Sequence, residues 1–541
     1  MKPIKHFNTT GLLLGTLFFA ASLTPTLLPR GEMVQGVITG LSLSAGYLLG
    51  YLLHRLWLFL ELPTVSGRTQ LISQWLAAAL FGLIAVSFLW QATEWQNQVR
   101  GLMGMKEDAR IRSLWVGLIA VPLFLVLKTA AYWLHSAFLL IPHWSRRLVP
   151  RRISYVGGVM VAVVVFWLVI DGIVFASLLR ALDRSYQQVD ALTDPATEQP
   201  EDPALTGSNE SLLGWETLGR QGRRFVTNGL DEESLAPFSD RYQPPIRVYA
   251  GLNSAETQEE RAELALQELL RVDAFDRSVL ALITPTGTGW IDPAAMHTLE
   301  ALFHGDVASV AVQYSYLSSP LALMTESEYG ADQARATFEV IYGHWRSLPA
   351  DVRPDLYLHG LSLGALNSDR SFDLFDIIDD PFQGVLWSGP PFRTDTWRTA
   401  THRRDRGSPA WLPRFRDGQV IRFGNQSGGW DDFNRSWGNF RIGILQYASD
   451  PITLFDPSVL YQEPEWMQGE RAFDVSPELR WIPVVTFLQL AADMTTGASP
   501  RGFGHDYSGA DYLDAWYALT EPEGWSEEQY AELRAYFAER Y

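Results

Sequence analysis

The chain has 541 residues, 47% of them hydrophobic, a formal net charge of −18 and no cysteine. That length exceeds one ordinary domain, and the missing cysteine excludes disulfides, thiolate metal sites and a thiol nucleophile together. Residues 1–184 hold 16 Lys and Arg against 7 Asp and Glu, a net of +9 that leaves −27 for the remainder. A basic, apolar first third is thus joined to an acidic remainder that is poorly suited to nucleic acid, since phosphate neutralisation needs clustered cations.

Five long apolar runs fill the first third, at about 9–29, 34–60, 71–92, 113–141 and 154–179. Each meets the ~20 residues needed to cross ~30 Å of hydrocarbon as helix. A bundle of about five transmembrane helices is therefore expected over 1–184, with the lipid bilayer as its partner. The first run follows Lys2 and Lys5 as a signal peptide would, but continues through SLTPTLLPR without a small-x-small cleavage site and reads as a retained span. With the N-terminus inside, eight Lys and Arg flank the spans on the cytoplasmic side against five outside, or seven if Arg180 and Arg184 are counted. That balance puts the C-terminal domain on the extracytoplasmic side. Lys128 and Asp171 fall near the middle of consecutive runs, where charges are costly. They are expected to pair, the alternative being a role in lipid or proton handling.

Residues 185–244 are polar, acidic and Pro-containing, the composition of a linker, and GRQGRRFV within them reads as a solvated basic cluster. From Ile246 the pattern changes. Short β-rich runs at 246–252, 278–284, 307–317, 355–360, 384–389, 419–424 and 441–449 are separated by helical stretches near 257–272, 293–304 and 330–346. Continuous apolar strands alternating with helices predict an α/β fold over 245–541: a doubly wound, mostly parallel sheet buried on both faces, with functional groups in loops at the strand C-termini.

At one such end stands LYLHGLSLGAL. A serine between glycines on a sharp strand-to-helix turn is held with its oxygen exposed, so Ser362 is the candidate nucleophile; the plain alternative is a turn serine. A serine hydroxyl needs a base and the base needs an orienting carboxylate, in the chain order Ser, Asp or Glu, His. His505, between Gly502 and Gly504, is the candidate base; His402 lies in the basic loop THRRDRG and reads as solvated. Asp450, after the run RIGILQYAS and before Pro451, is the candidate acid, unless it only caps a turn; Asp493 is its rival, in surroundings that look helical. Acyl transfer also needs backbone donors for an oxyanion. Leu363 N–H is one, and Gly287, Thr288 or Gly289 in ALITPTGTGW would supply the other, unless that loop is merely a tight turn. No dinucleotide or phosphate-loop fingerprint and no metal-ligand spacing appears, so no cofactor or metal is expected.

PTGTGW, QYSYL, the elbow, GPPF, LQYASDP and GHDY, in this order behind several N-terminal runs, resemble the bacterial membrane-anchored alpha/beta-hydrolase family. SLTPTLLPR and IRVYAGL match it too, so the resemblance covers nearly the whole chain. It implies a multi-span domain followed by an alpha/beta-hydrolase catalytic domain in a bacterial inner membrane. It also implies a serine hydrolase using Ser362, Asp450 and His505, acting on an ester, as of a lipid or envelope component. Leu361 departs from the pattern, because many such enzymes carry His, Glu or Asp just before the serine. Two other readings stay open: an acyltransferase with the same triad, and a transport or envelope-assembly protein with a degenerate hydrolase domain.

Overall fold

A computed structural model describes residues 7–64, 67–108, 113–140, 197–317, 327–496 and 499–541. The chain divides into two units, one of Met1–Ala181 with Asp456–Ala498, the other of Leu182–Phe455 with Ser499–Tyr541. The first is helical and the second carries the sheet.

In the helical unit α1 (Thr9–Ala21), α2 (Glu32–Phe59), α3 (Gly67–Leu102) and α4 (Ser113–Leu140) follow one another. Among the described residues three helices are long and apolar enough to cross a membrane, Glu32–Phe59, Gly67–Leu102 and Ser113–Trp133, fewer than the five expected. The first run is not a full span. Its helix stops after 13 residues, because Pro25 and Pro29 lack the N–H that a continuing helix requires. Leu23–Arg30 instead runs as buried, irregular chain, with Leu27 fully enclosed. The fifth run and Asp171 lie outside the described residues, and Lys128 Nζ rests 3.4 Å above the centre of the Phe7 ring.

Glycines at four-residue spacing let these helices approach. A Cβ at Gly46 or Gly50 of α2 would stand 2.7 Å from Leu14 O or 2.5 Å from Thr10 O of α1, and one at Gly36 would stand 2.7 Å from Ile119 of α4. Close small-residue seams of this kind are how helices associate where no hydrophobic drive separates side chain from solvent.

The sheet unit holds seven parallel strands in the order β1-β3-β2-β4-β5-β7-β6. They are β1 (Ile246–Ala250), β2 (Val279–Thr284), β3 (Val307–Val312), β4 (Asp355–Leu361), β5 (Gly384–Ser388), β6 (Ile421–Gly424) and β7 (Arg441–Leu445). Between them lie α5 (Gly219–Thr227, before β1), α6 (Gln258–Arg271), α7 (Pro293–Leu302), α8 (Ser327–Ser347), α9 (Leu363–Asp369) and α10 (Asp395–His402), and α11 (Gly509–Thr520) and α12 (Glu527–Arg540) close the chain. Each strand matches an expected run, and β2 and β3 are buried at every position, as a sheet covered on both faces demands. β4 sits in the middle.

The stretch that reads as linker is folded onto the sheet unit from residue 197 onward. Leu213, Trp215, Leu218, Phe225 and Val226 join its core. The basic cluster is the docked helix α5, whose Gly222 packs on the Tyr249 ring. An acidic average had masked a sparse apolar stripe. Nearby, Arg247 of β1 and Glu300 of α7 form a forked, buried ion pair at 2.7 and 2.9 Å. Removing one member of such a pair strands the other charge in the core, so Arg247→Met should destabilise the sheet unit by about 3–5 kcal/mol. The Arg247→Met, Glu300→Leu double variant should cost less, and urea denaturation of both proteins measures the difference.

Candidate active site

Ser362 follows the last residue of β4 with φ 56° and ψ −122°. An L-residue occupies that region only at a cost of order 1–3 kcal/mol, which surrounding contacts must offset. Here the Ser362 N–H bonds the Ser388 carbonyl at 2.9 Å, and the Ser362 carbonyl accepts from Ala365 and Leu366 at 3.0 and 3.2 Å as α9 begins. The flanking glycines are sterically required. A Cβ at Gly360 would stand 2.4 Å from the Gly364 carbonyl carbon, and one at Gly364 would stand 2.2 Å from Thr284 O. Leu361 belongs to the hydrophobic core at 6% exposure, so its aliphatic nature serves packing. His359, one turn of strand earlier, is buried on Tyr512 and Trp516, and burial brings its pKa down to about 4. It is a neutral core residue whose Nδ1 meets Leu386 O at 2.8 Å.

Asp450 lies just beyond β7 and is fully buried. Its two oxygens divide the work. Oδ1 caps the single helical turn Pro451–Leu454, accepting from Ile452 N–H at 2.8 Å and Thr453 N–H at 3.4 Å. Oδ2 accepts from Thr453 Oγ1 at 3.1 Å, Tyr507 Oη at 2.7 Å and His505 Nδ1 at 2.7 Å. Asp450 therefore both caps a turn and holds an imidazole. A carboxylate only accepts, so Nδ1 carries the proton and Nε2 is left as the basic nitrogen. Nε2 is buried with no hydrogen-bond partner among the described residues.

His505 sits in a tight turn. Gly502 N–H bonds Asp506 O at 2.8 Å, Asp506 N–H bonds Phe503 O at 3.2 Å, and Gly504 N–H bonds Ser449 Oγ at 2.9 Å, beside Asp450. The imidazole lies against Gly389, where a Cβ would stand 2.5 Å from Cε1 and where φ is +52°. Gly389 directly follows Ser388, the residue that takes the Ser362 N–H. The ends of β4, β5 and β7 and the His505 turn thus meet at one edge of the sheet.

Leu363 opens α9, so its N–H has no acceptor within the helix. The loop after β2 lies beside it, since Gly364 approaches both Thr284 O and Pro285 O. Of the three residues expected to supply the second donor, Gly289 has its N–H bound to Thr286 O at 2.8 Å and its carbonyl held by Tyr249 Oη at 2.8 Å. Gly287 is buried and Thr288 half-buried on the same turn. Asp493 is in the helical unit, ion-paired with Arg30 at 2.7 Å. His402 ends α10 on the surface.

Tyr507 escaped the sequence reading. GHDY displays it two residues from His505, but only the fold shows its hydroxyl on the oxygen that holds the imidazole. Its ring packs at a tilt against Tyr447, with centroids 4.4 Å apart, and burial beside Asp450 raises its pKa well above the usual phenol value. It is a permanent donor.

Residues 246–533 match an alpha/beta-hydrolase family, and residues 23–229 match the N-terminus described for that family. No curated protein and no solved structure matches the chain.

Two measurements test the electrostatics. Tyr507→Phe removes one donor from a buried carboxylate and should cost about 1.5–3 kcal/mol of stability, read from chemical denaturation. Asp292, 9% exposed at the start of α7, is pushed by burial from 3.8 up to about 7. The folded protein then keeps a proton that the unfolded chain releases, so this group's contribution falls as pH rises from about 4 through about 7. Asp292→Asn keeps the cap and should be the more stable protein above pH 7, by roughly 4 kcal/mol at most, with no such advantage at pH 4.

Proposed function

Because the chain belongs to the alpha/beta-hydrolase family, we propose that it is a serine hydrolase cleaving carboxylic esters through an acyl-enzyme. The observation that carries this reading is the His505 Nδ1 to Asp450 Oδ2 bond of 2.7 Å, with Nε2 without a hydrogen-bond partner among the described residues, at the strand ends where Ser362 stands. In this mechanism Ser362 Oγ attacks the acyl carbon while His505 Nε2 takes its proton. Asp450 holds the imidazole in the right tautomer and stabilises the imidazolium. The oxyanion is held by Leu363 N–H together with a backbone N–H of the loop that follows β2. His505 then protonates the departing alcohol, and a water activated by the same nitrogen releases the acid. The three long apolar helices support an ester presented at a membrane, a lipid-like substrate in preference to a freely soluble one.

A fluorophosphonate probe should label the folded full-length protein, and Ser362→Ala should abolish the labelling. The same variant should lower kcat on a p-nitrophenyl ester by at least ~10³-fold, because nucleophile and base act as one unit. A folded wild-type protein inert to both reagents overturns the reading.

A further inference from the structure

The sheet unit holds an open cavity of about 430 Å³ whose wall contains none of the proposed triad residues. That volume falls within the ~300–1,000 Å³ of small-molecule sites. Gln221, Arg224, Phe225 and Asn228 line it at spacings of i, i+3, i+4 and i+7, so one side of α5 and its C-cap forms part of the wall. This is the GRQGRRFV segment, whose packing uses Gly222, Phe225 and Val226 and leaves Gln221 and Arg224 at the cavity. Trp290, Ile291 and Pro293, between β2 and α7, supply more of the wall, and Arg247 of β1 completes it.

Charge and apolar surface select what such a cavity takes. Among the described residues its wall carries two arginines and no carboxylate. Asp292, flanked by Ile291 and Pro293, instead caps α7 by accepting from Ala294 N–H at 3.0 Å. Arg247 commits three of the five N–H groups of a guanidinium. Nε and one terminal nitrogen donate to Glu300 at 2.7 and 2.9 Å, and the other terminal nitrogen donates to Phe225 O at 2.9 Å. One N–H on each terminal nitrogen is left over, on a side chain only 3% exposed. An enclosed donor without an acceptor is costly, and an anion held there gains charge-assisted bonds. Glu300 already offsets the Arg247 charge, so the wall keeps a single positive charge, on Arg224. That matches a monoanion better than a phosphate dianion. The Phe225 ring and the exposed Trp290 indole add apolar faces against which a ligand's body can pack.

We propose that this cavity is a binding site for a small carboxylate with an apolar body. The carboxylate sits on Arg224 and the spare N–H groups of Arg247, and the body lies against Trp290 and Phe225. The site goes beyond the hydrolase reading and stands whether or not Ser362 is reactive.

The test uses the full-length protein in nanodiscs, with empty nanodiscs as blank and para-fluorophenylacetate as probe, its affinity read from fluorine NMR line broadening. The wild type should bind it saturably. Arg224→Gln and Trp290→Ala should each weaken binding by ~10-fold or more, and neutral para-fluorophenylacetamide should bind the wild type worse than the carboxylate by a similar factor. Both substituted side chains are exposed, and a wild-type circular-dichroism spectrum certifies each variant; if Trp290→Ala does not fold, Arg224→Gln decides. Fluorophosphonate treatment should leave probe binding unchanged. No saturable binding, wild-type affinity in the variants, equal binding of the neutral amide, or loss of binding after fluorophosphonate each overturns the site. Inorganic phosphate that displaces the probe at equal concentration overturns the assignment to a carboxylate with an apolar body. A protein that takes no fluorophosphonate overturns the hydrolase reading instead, and the two variants and the amide still decide the cavity.

Discussion

The site depends on burying one carboxylate. Asp450 has no exposed surface, and an ionised group in that position is tolerable only if its lone pairs are filled. Five donors fill them: two backbone amides and a hydroxyl of the Pro451–Leu454 turn, the Tyr507 phenol and the His505 imidazole. The demand for these donors fixes the turn after β7 and pulls the distant His505 loop onto the strand ends. The imidazole's orientation is thus a by-product of solvating a buried charge. Its free nitrogen is available because Nδ1 is already committed.

A second constraint meets the first at the same edge. The reversal from β4 into α9 forces Ser362 into positive φ, and only glycine fits at Gly360 and Gly364 because backbone atoms occupy the space a Cβ would need. Gly389 completes the arrangement by letting the imidazole lie on the end of β5. Each of these three glycines accommodates a different close approach: helix on strand, helix on the β2 loop, and imidazole on β5. The family match over 246–533 is consistent with such a scaffold.

The helical unit answers to different physics. Gly11 and Gly15 of α1 lie against Tyr47 and Leu43 of α2, and Gly46 and Gly50 of α2 against Leu14 and Thr10 of α1, so that the two backbones approach closely. Where two prolines open the backbone, a buried polar network closes it, and Gln489 and Asp493 join that network from far along the chain. The family's N-terminal match across 23–229 extends from this irregular segment through α5 of the sheet unit, so the stretch that reads as linker belongs to the matched region as far as residue 229.

Local pattern was enough to read the strands, because a sheet buried on both faces requires unbroken apolar runs, and the elbow, because its geometry admits only small neighbours. The aspartate and the histidine were legible as candidates, since each sits where a strand end or a glycine turn stands out in the sequence. What the sequence could not carry is anything set by partners distant along the chain. It could not separate a full span from a helix that stops at Ser22, nor a linker from an apolar stripe diluted by acidic residues. Tyr507 gave no signal, because its role lies in the position of one oxygen against Asp450. Asp493 looked like a rival acid until the fold paired it with Arg30. Residue type and spacing determine which groups can do chemistry; only tertiary packing decides which carboxylate meets which cation or imidazole, because burial and proximity belong to the folded chain alone.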